Sequence, residues 1–207
     1  MRSAIRPFRS LLPALLLMAP AFAEDTQRMS SYKIDAVHSE VGFKVRHLVS
    51  RTSGRFTKFN GTIQVDEKSI ENSNVLVTIE VASISTDNAN RDAHLRSADF
   101  FDAEKFPTIT FKSTSVKEVS KGQLQITGDF TMRGVTKRIT LPITSLGGMA
   151  SPFKDYRAGF EGSLKINRQD FGVKWNKTLD TGGAMLSDDV DISLAIEAVK
   201  QAPEAKN

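Results

Sequence analysis

The feature that most constrains this chain is a period of two in its apolar residues. They alternate with polar ones through Val41, Phe43, Val45; Ile63, Val65; Val75, Val77, Ile79, Val81; Ile109, Phe111; and Leu124, Ile126, Phe130. The same spacing returns in Ile139, Leu141, Ile143; Phe160, Leu164, Ile166; and Val190, Ile192, Leu194, Ile196. Alternation of this kind marks β-strands with one buried face and one wet face. A wet face implies antiparallel pairing, because helices cover both faces of a parallel sheet. About eight such strands fit either a closed barrel or a two-sheet sandwich, and periodicity alone does not choose between them.

Turn residues punctuate the runs. Asn60-Gly61 is the strongest hairpin signal, Lys121-Gly122 and Arg133-Gly134 are weaker ones, and Gly147-Gly148 and Gly182-Gly183 read as looser loops. One stretch breaks the pattern: Asn88 to Pro107 lacks β-branched residues until Thr108, and predicts a short helix from about Arg91 to Ser97. With 207 residues, 40% of them hydrophobic and 25% charged, the chain has the makeup of one globular domain. That composition excludes disorder, collagen-like repeats and a polytopic membrane protein.

The first 23 residues read as a secretory leader. Arg2, Arg6 and Arg9 precede the apolar run Leu11 to Pro20, and Ala21-Phe22-Ala23 supplies a cleavage pattern before Glu24. Cleavage leaves residues 24–207 as a soluble mature domain, with the periplasm as its compartment. Three of the 28 basic residues lie in this acid-free leader, so 25 remain against 24 acidic ones. So small a surplus argues against nucleic acid as a partner. The absence of cysteine removes disulfides, thiolate metal sites and a cysteine nucleophile.

An eight-stranded barrel has an interior that side chains fill or that holds one small ligand. Gly128 is in phase with Leu124, Ile126 and Phe130, and Gly162 with Phe160, Leu164 and Ile166. Each either opens a vacancy on the buried face or marks a bend or close backbone approach.

Several segments carry a resemblance. They are Tyr32-Lys33-Ile34-Asp35 with Val41 to Leu48; Arg91-Asp92-Ala93-His94-Leu95 with Asp99-Phe100-Phe101; and Phe106-Pro107-Thr108-Ile109-Thr110-Phe111. Gly128-Asp129-Phe130-Thr131-Met132-Arg133-Gly134 and Ile166-Asn167-Arg168-Gln169-Asp170-Phe171-Gly172 complete the set. In this order they resemble the YceI-like family of periplasmic, lipocalin-like polyisoprenoid-binding proteins. The resemblance implies an all-β fold: an extended antiparallel eight-stranded lipocalin-like barrel with one short helical insertion. It also implies a non-enzymatic role in binding, transport or storage of an amphiphile with a long isoprenoid tail, such as a polyprenyl phosphate or a quinone.

Residues for such a ligand follow from the strand phase. The tunnel wall is expected from Phe43, Val45, Ile79, Phe111, Ile126, Phe130, Leu141, Phe160, Leu164 and Ile192. Head-group contacts are expected from Arg91, His94 and Arg168, because guanidinium binds phosphate bidentately and imidazole donates to a phosphate or quinone oxygen. The competing role for these three is to fasten the helical insertion and a turn to the barrel. His38, His47 and His94 lack close metal-ligand spacing, and Asp188, Asp189 and Asp191 read as a solvated edge. No metal and no cofactor other than the bound amphiphile is expected.

Motifs for serine hydrolases, zinc proteases, phosphate loops and dinucleotide folds are missing. Two other functions stay open: an interaction module with a packed core that docks to a membrane electron-transfer protein, and a quinone-linked redox enzyme. Transient contact with the inner membrane or a membrane cytochrome, and a homodimer through strand edges, fit the same pattern.

Overall fold

The computed structural model describes residues 29–178, 180 and 183–202. The leader expected over residues 1–23 lies outside them, as does Gly182. Strands β1 (Met29–Ile34), β2 (Glu40–His47), β3 (Ser50–Phe56), β4 (Phe59–Asp66), β5 (Asn74–Glu80) and β6 (Ile84–Ser85) precede helix α1 (Ala89–Arg96). Strands β7 (Thr108–Ser120), β8 (Gln123–Met132), β9 (Val135–Ala150), β10 (Tyr156–Asn167) and β11 (Leu186–Lys200) follow it.

The pairing resolves these strands into eight long staves. Both β1 and β2 lie antiparallel along one edge of β11, β1 beside Ala198 to Lys200 and β2 beside Leu186 to Ala195, so they run end to end. Likewise β3 pairs with β2 while β4 pairs with β1, and β6 pairs with β3 while β5 pairs with β4. From there each stave pairs with the next in sequence, β5 with β7 and onward to β11, and β11 returns to β1. The result is a closed eight-stranded antiparallel barrel, as expected, in which β6 and the start of β3 keep one unpaired side near α1.

Three staves are broken, at residues 35–39, 57–58 and 81–83, and each break has its own hydrogen bonds. Asp35 accepts from the Val37 amide at 3.0 Å, Ser39 Oγ accepts from the Glu197 amide at 2.9 Å, and the Ser83 carbonyl accepts from the Thr57 amide at 3.2 Å. Such interruptions bend the strands that a barrel must curve.

Helix α1 starts where the Asn88 side chain accepts from the Arg91 amide at 3.0 Å, an N-cap that satisfies one of the helix's orphan donors. It crosses the end of the barrel where β6 stops and β7 begins. The β2–β3 and β8–β9 hairpins share this helix end; the β7–β8 and β9–β10 hairpins lie at the other.

Two glycine readings are corrected. Asn60-Gly61 forms no hairpin: it sits inside β4, opposite Thr78 and Val77. A Cβ on Gly61 would meet Ile34 Cδ1 and the Leu76 carbonyl, each at 2.7 Å, so the glycine serves close approach across the sheet. Gly147-Gly148 also lies within a strand, with Gly147 at φ +84° beside a register shift opposite Gly159 and Phe160.

Gly128 and Gly162 open no vacancy. A Cβ on Gly128 would lie 2.6 Å from Phe111 Cζ and 2.5 Å from the Lys112 carbonyl, and one on Gly162 2.5 Å from Ile143 Cδ1. Neighbouring side chains fill both places. Gly128→Ala is therefore expected to destabilise the barrel by ~1–3 kcal/mol through overpacking, read as a lowered midpoint in urea with an unchanged slope.

Candidate functional site

The barrel interior contains a cavity of about 590 Å³. At roughly 30 Å³ per methylene-sized group, the share a water takes in the liquid, that volume houses on the order of 20 carbon atoms. The ten residues expected in the wall, Phe43, Val45, Ile79, Phe111, Ile126, Phe130, Leu141, Phe160, Leu164 and Ile192, all line it. Several inward-facing residues, among them Leu141, Phe160, Leu164 and Ile192, pack against the core yet are only half-buried. Their remaining surface faces the hollow.

The wall is polar at one end only. His47, Thr52, Thr86, Asn90, Arg91, His94 and Arg168 line the cavity at the helix end, with Trp175 beside them, while the wall toward the other end is aliphatic and aromatic. Among the described residues, Asn90, Arg91 and His94 are also the only exposed ones in the wall, so solvent meets the cavity at α1. Sequence reasoning placed Arg91, His94 and Arg168 here but missed Thr86, Asn90 and Trp175. The single tryptophan was the available signal for the last of these.

The three head-group candidates differ in what their nitrogens already do. Arg91 donates from Nε to Thr86 Oγ1 at 2.7 Å and from Nη2 to the Thr86 carbonyl at 2.8 Å. Buried Asp92 accepts from the same residue, at 2.8 Å from its amide and 2.5 Å from its hydroxyl. These bonds tie α1 to the end of β6 and still leave Arg91 Nη1 without a partner among the described residues. His94 meets Asp99 through Nε2 at 2.9 Å, and its ring packs edge-on against Phe100 and Trp175, with centroids 5.0 and 5.1 Å away.

Arg168 is different. It is 4% exposed and donates to the carbonyls of Ser187, Val173 and Trp175 at 2.7–2.9 Å and to Asp188 at 3.3 Å, which engages four of its five N–H groups. Burial pulls its pKa below the usual arginine value, and Asp188 opposes that shift. Arg168 therefore fastens the segment after β10 to the start of β11. Nearby Asp170 pairs with Lys137 at 3.0 Å.

The histidines do not converge on a metal. Among the described residues the one His, Asp and Glu group at ligand spacing is Asp35, His38 and Glu197. Arg157 occupies the space between its carboxylates, donating to Asp35 at 3.0 Å and to Glu197, and it also bonds Asp155. Asp189 and Asp191 each face Lys165, and Asp191 also pairs with Arg51.

This Arg157 clasp joins the first break to β10 and β11 and carries a pH dependence. The His38 hydrogen bond, followed by those from Val37 and Arg157, holds Asp35 below the usual carboxylate range, and Arg157 and Ser151 do the same for Asp155. A depressed native pKa means that the unfolded chain takes up protons first as the medium is acidified. The stability is present above about pH 4 and is lost as pH falls through the native values. Melting temperature plotted against pH should drop in acid, and Arg157→Gln should flatten that limb while lowering the neutral plateau.

Comparison with known proteins agrees with this architecture. Residues 32–198 match the family model described as the YceI-like domain. Protein YceI of Escherichia coli O157:H7 is 41% identical over 196 residues, covering 93% of this chain and 98% of that protein. The crystal structure of Burkholderia cenocepacia BcnA superposes with a TM-score of 0.71 at 26% identity, over 79% of this chain and 98% of that one. A polyisoprenoid binding domain from Saccharophagus degradans shares the fold at 15% identity and a TM-score of 0.61, over 82% of this chain and 98% of that one. An eight-stave barrel, a hollow with one polar end and a match over nearly the whole described domain agree: the chain belongs to the YceI-like family.

Proposed function

We propose that this protein binds one long-chain isoprenoid amphiphile without chemical conversion and carries or stores it in the periplasm once its leader is removed. The tail lies in the apolar hollow and the head sits beside α1, near Arg91 Nη1 and His94. The observation that carries this reading is the asymmetry of the wall, apolar along its length and both polar and exposed only at the helix end. Burying ten tail carbons contributes ~8 kcal/mol before ordering costs are subtracted, so affinity needs no charged contact and the head sets orientation. The Saccharophagus degradans domain, which is itself a polyisoprenoid-binding domain, supports the same ligand class. A packed-core interaction module requires a filled interior, which a cavity of about 590 Å³ does not provide.

Trp175, the chain's single tryptophan, lines the cavity against His94 and Phe100 and reports on ligand entry. Titrating delipidated protein with a polyprenyl phosphate should shift its emission to saturation at one equivalent. An emission spectrum that stays constant through the titration would overturn the reading.

A further inference from the structure

The hairpin joining β2 to β3 is built unlike the other two-residue hairpins. Its two loop residues are Leu48 and Val49, and Leu48 takes φ +52°. Positive φ is costly for any residue with a Cβ, and leucine lacks the short polar side chain that eases it for asparagine. The hairpins at Lys121-Gly122 and Arg133-Gly134 place glycine at positive φ, +74° and +75°, although Arg133 itself also sits at +51°. The Leu48-Val49 tip has no glycine, and both apolar side chains are exposed, Val49 fully at 102% and Leu48 at 39%. The positive φ serves the turn, but the exposure of two apolar side chains at its tip does not.

The surroundings of the tip identify what it meets. Arg46 donates to the Leu48 carbonyl at 3.2 Å and braces the turn, and Arg51 stands on the other shoulder, paired with Asp191. The Leu48 amide donates to the Met185 carbonyl at 2.9 Å, and the Met185 amide in turn to the Lys177 carbonyl at 3.0 Å. Arg46 and Lys177 pair with no carboxylate among the described residues. The tip also adjoins the polar end of the cavity: His47 at its base, Thr52 on the returning strand and Met185 beneath it all line the wall.

We propose that the Leu48-Val49 tip is a docking finger for an anionic lipid bilayer. Two apolar side chains enter the interface while Arg46 and Lys177 meet lipid phosphates, setting the helix end of the barrel against the membrane. The proposal extends the carrier reading, because a carrier must meet the bilayer that supplies its ligand.

The test is flotation of the delipidated full chain with vesicles of equimolar phosphatidylcholine and phosphatidylglycerol, and with phosphatidylcholine alone. The parent protein should float with the anionic vesicles and release them in high salt. The double variant Leu48→Gly, Val49→Asn puts glycine at the one loop position with positive φ and a polar residue beside it. It should melt at or above the parent temperature, bind polyprenyl phosphate unchanged by Trp175 emission, and lose vesicle binding by about ten-fold or more. Arg46→Gln should weaken only the anionic-vesicle component. A double variant that floats like the parent overturns the proposal. So does a parent that ignores both vesicles, which would point to a protein partner instead. The emission titration keeps the two readings apart, since failed ligand uptake with intact flotation would sink the carrier reading alone.

Discussion

Replacing Leu164 with tryptophan is expected to leave the barrel folded while sharply weakening ligand uptake. Leu164 faces inward from β10 opposite Ile192, lines the cavity and is only half-buried, so a larger ring has space to enter. Excluding about four tail methylenes at ~0.8 kcal/mol each costs ~3 kcal/mol, on the order of a hundred-fold in affinity. The melting temperature should hold or rise, as it does when a cavity is filled. A packed interior gives the opposite sign, because overpacking destabilises by ~1–3 kcal/mol. One variant read by calorimetry and by ligand uptake in native mass spectrometry, since the new tryptophan masks Trp175 emission, therefore distinguishes a hollow barrel from a solid one.

The second large effect concerns Arg168, and it is on folding. Arg168→Leu removes the donor for three carbonyls, those of Ser187, Val173 and Trp175, while Asp188 keeps its hydrogen bond from Gln169. Leaving those groups unsatisfied should cost ~3–5 kcal/mol in chemical denaturation. Arg168→Lys should recover only part of it, since an ammonium has three donors and lacks the planar fork that reaches several acceptors at once. Arg91→Ala should be milder, because Asp92 also holds Thr86. Equal stability losses for Arg91→Ala and Arg168→Leu would contradict the assignment of Arg168 as the fastener.

The antiparallel strands were legible in the sequence because alternation survives closure, each stave presenting one face to the hollow whatever its partners, whereas the choice of barrel over sandwich came from the family resemblance. The stave breaks were not legible, because β1 and β2, β3 and β4, and β5 and β6 run in series and the apolar phase resumes on the far side. Asn60-Gly61 misled for a related reason. A glycine needed for close approach of Ile34 is indistinguishable, in one dimension, from a glycine needed for positive φ.

At the site, the apolar wall was readable from phase alone, and all ten expected positions line the cavity. The polar end was read only in part. Arg168 resembled a free phosphate ligand because its partners are backbone carbonyls, which leave no trace in side-chain identity. Arg91 and His94 stood out through the broken strand pattern around them, but nothing in that pattern announced that α1 carries the exposed part of the wall.

The most direct measurement is native mass spectrometry of the protein purified gently from its own cells. The account predicts a population heavier than the polypeptide by the mass of one long-chain amphiphile, lost after organic extraction and regained on adding a polyprenyl phosphate. A spectrum showing only bare polypeptide, with no adduct regained on reloading, would contradict it.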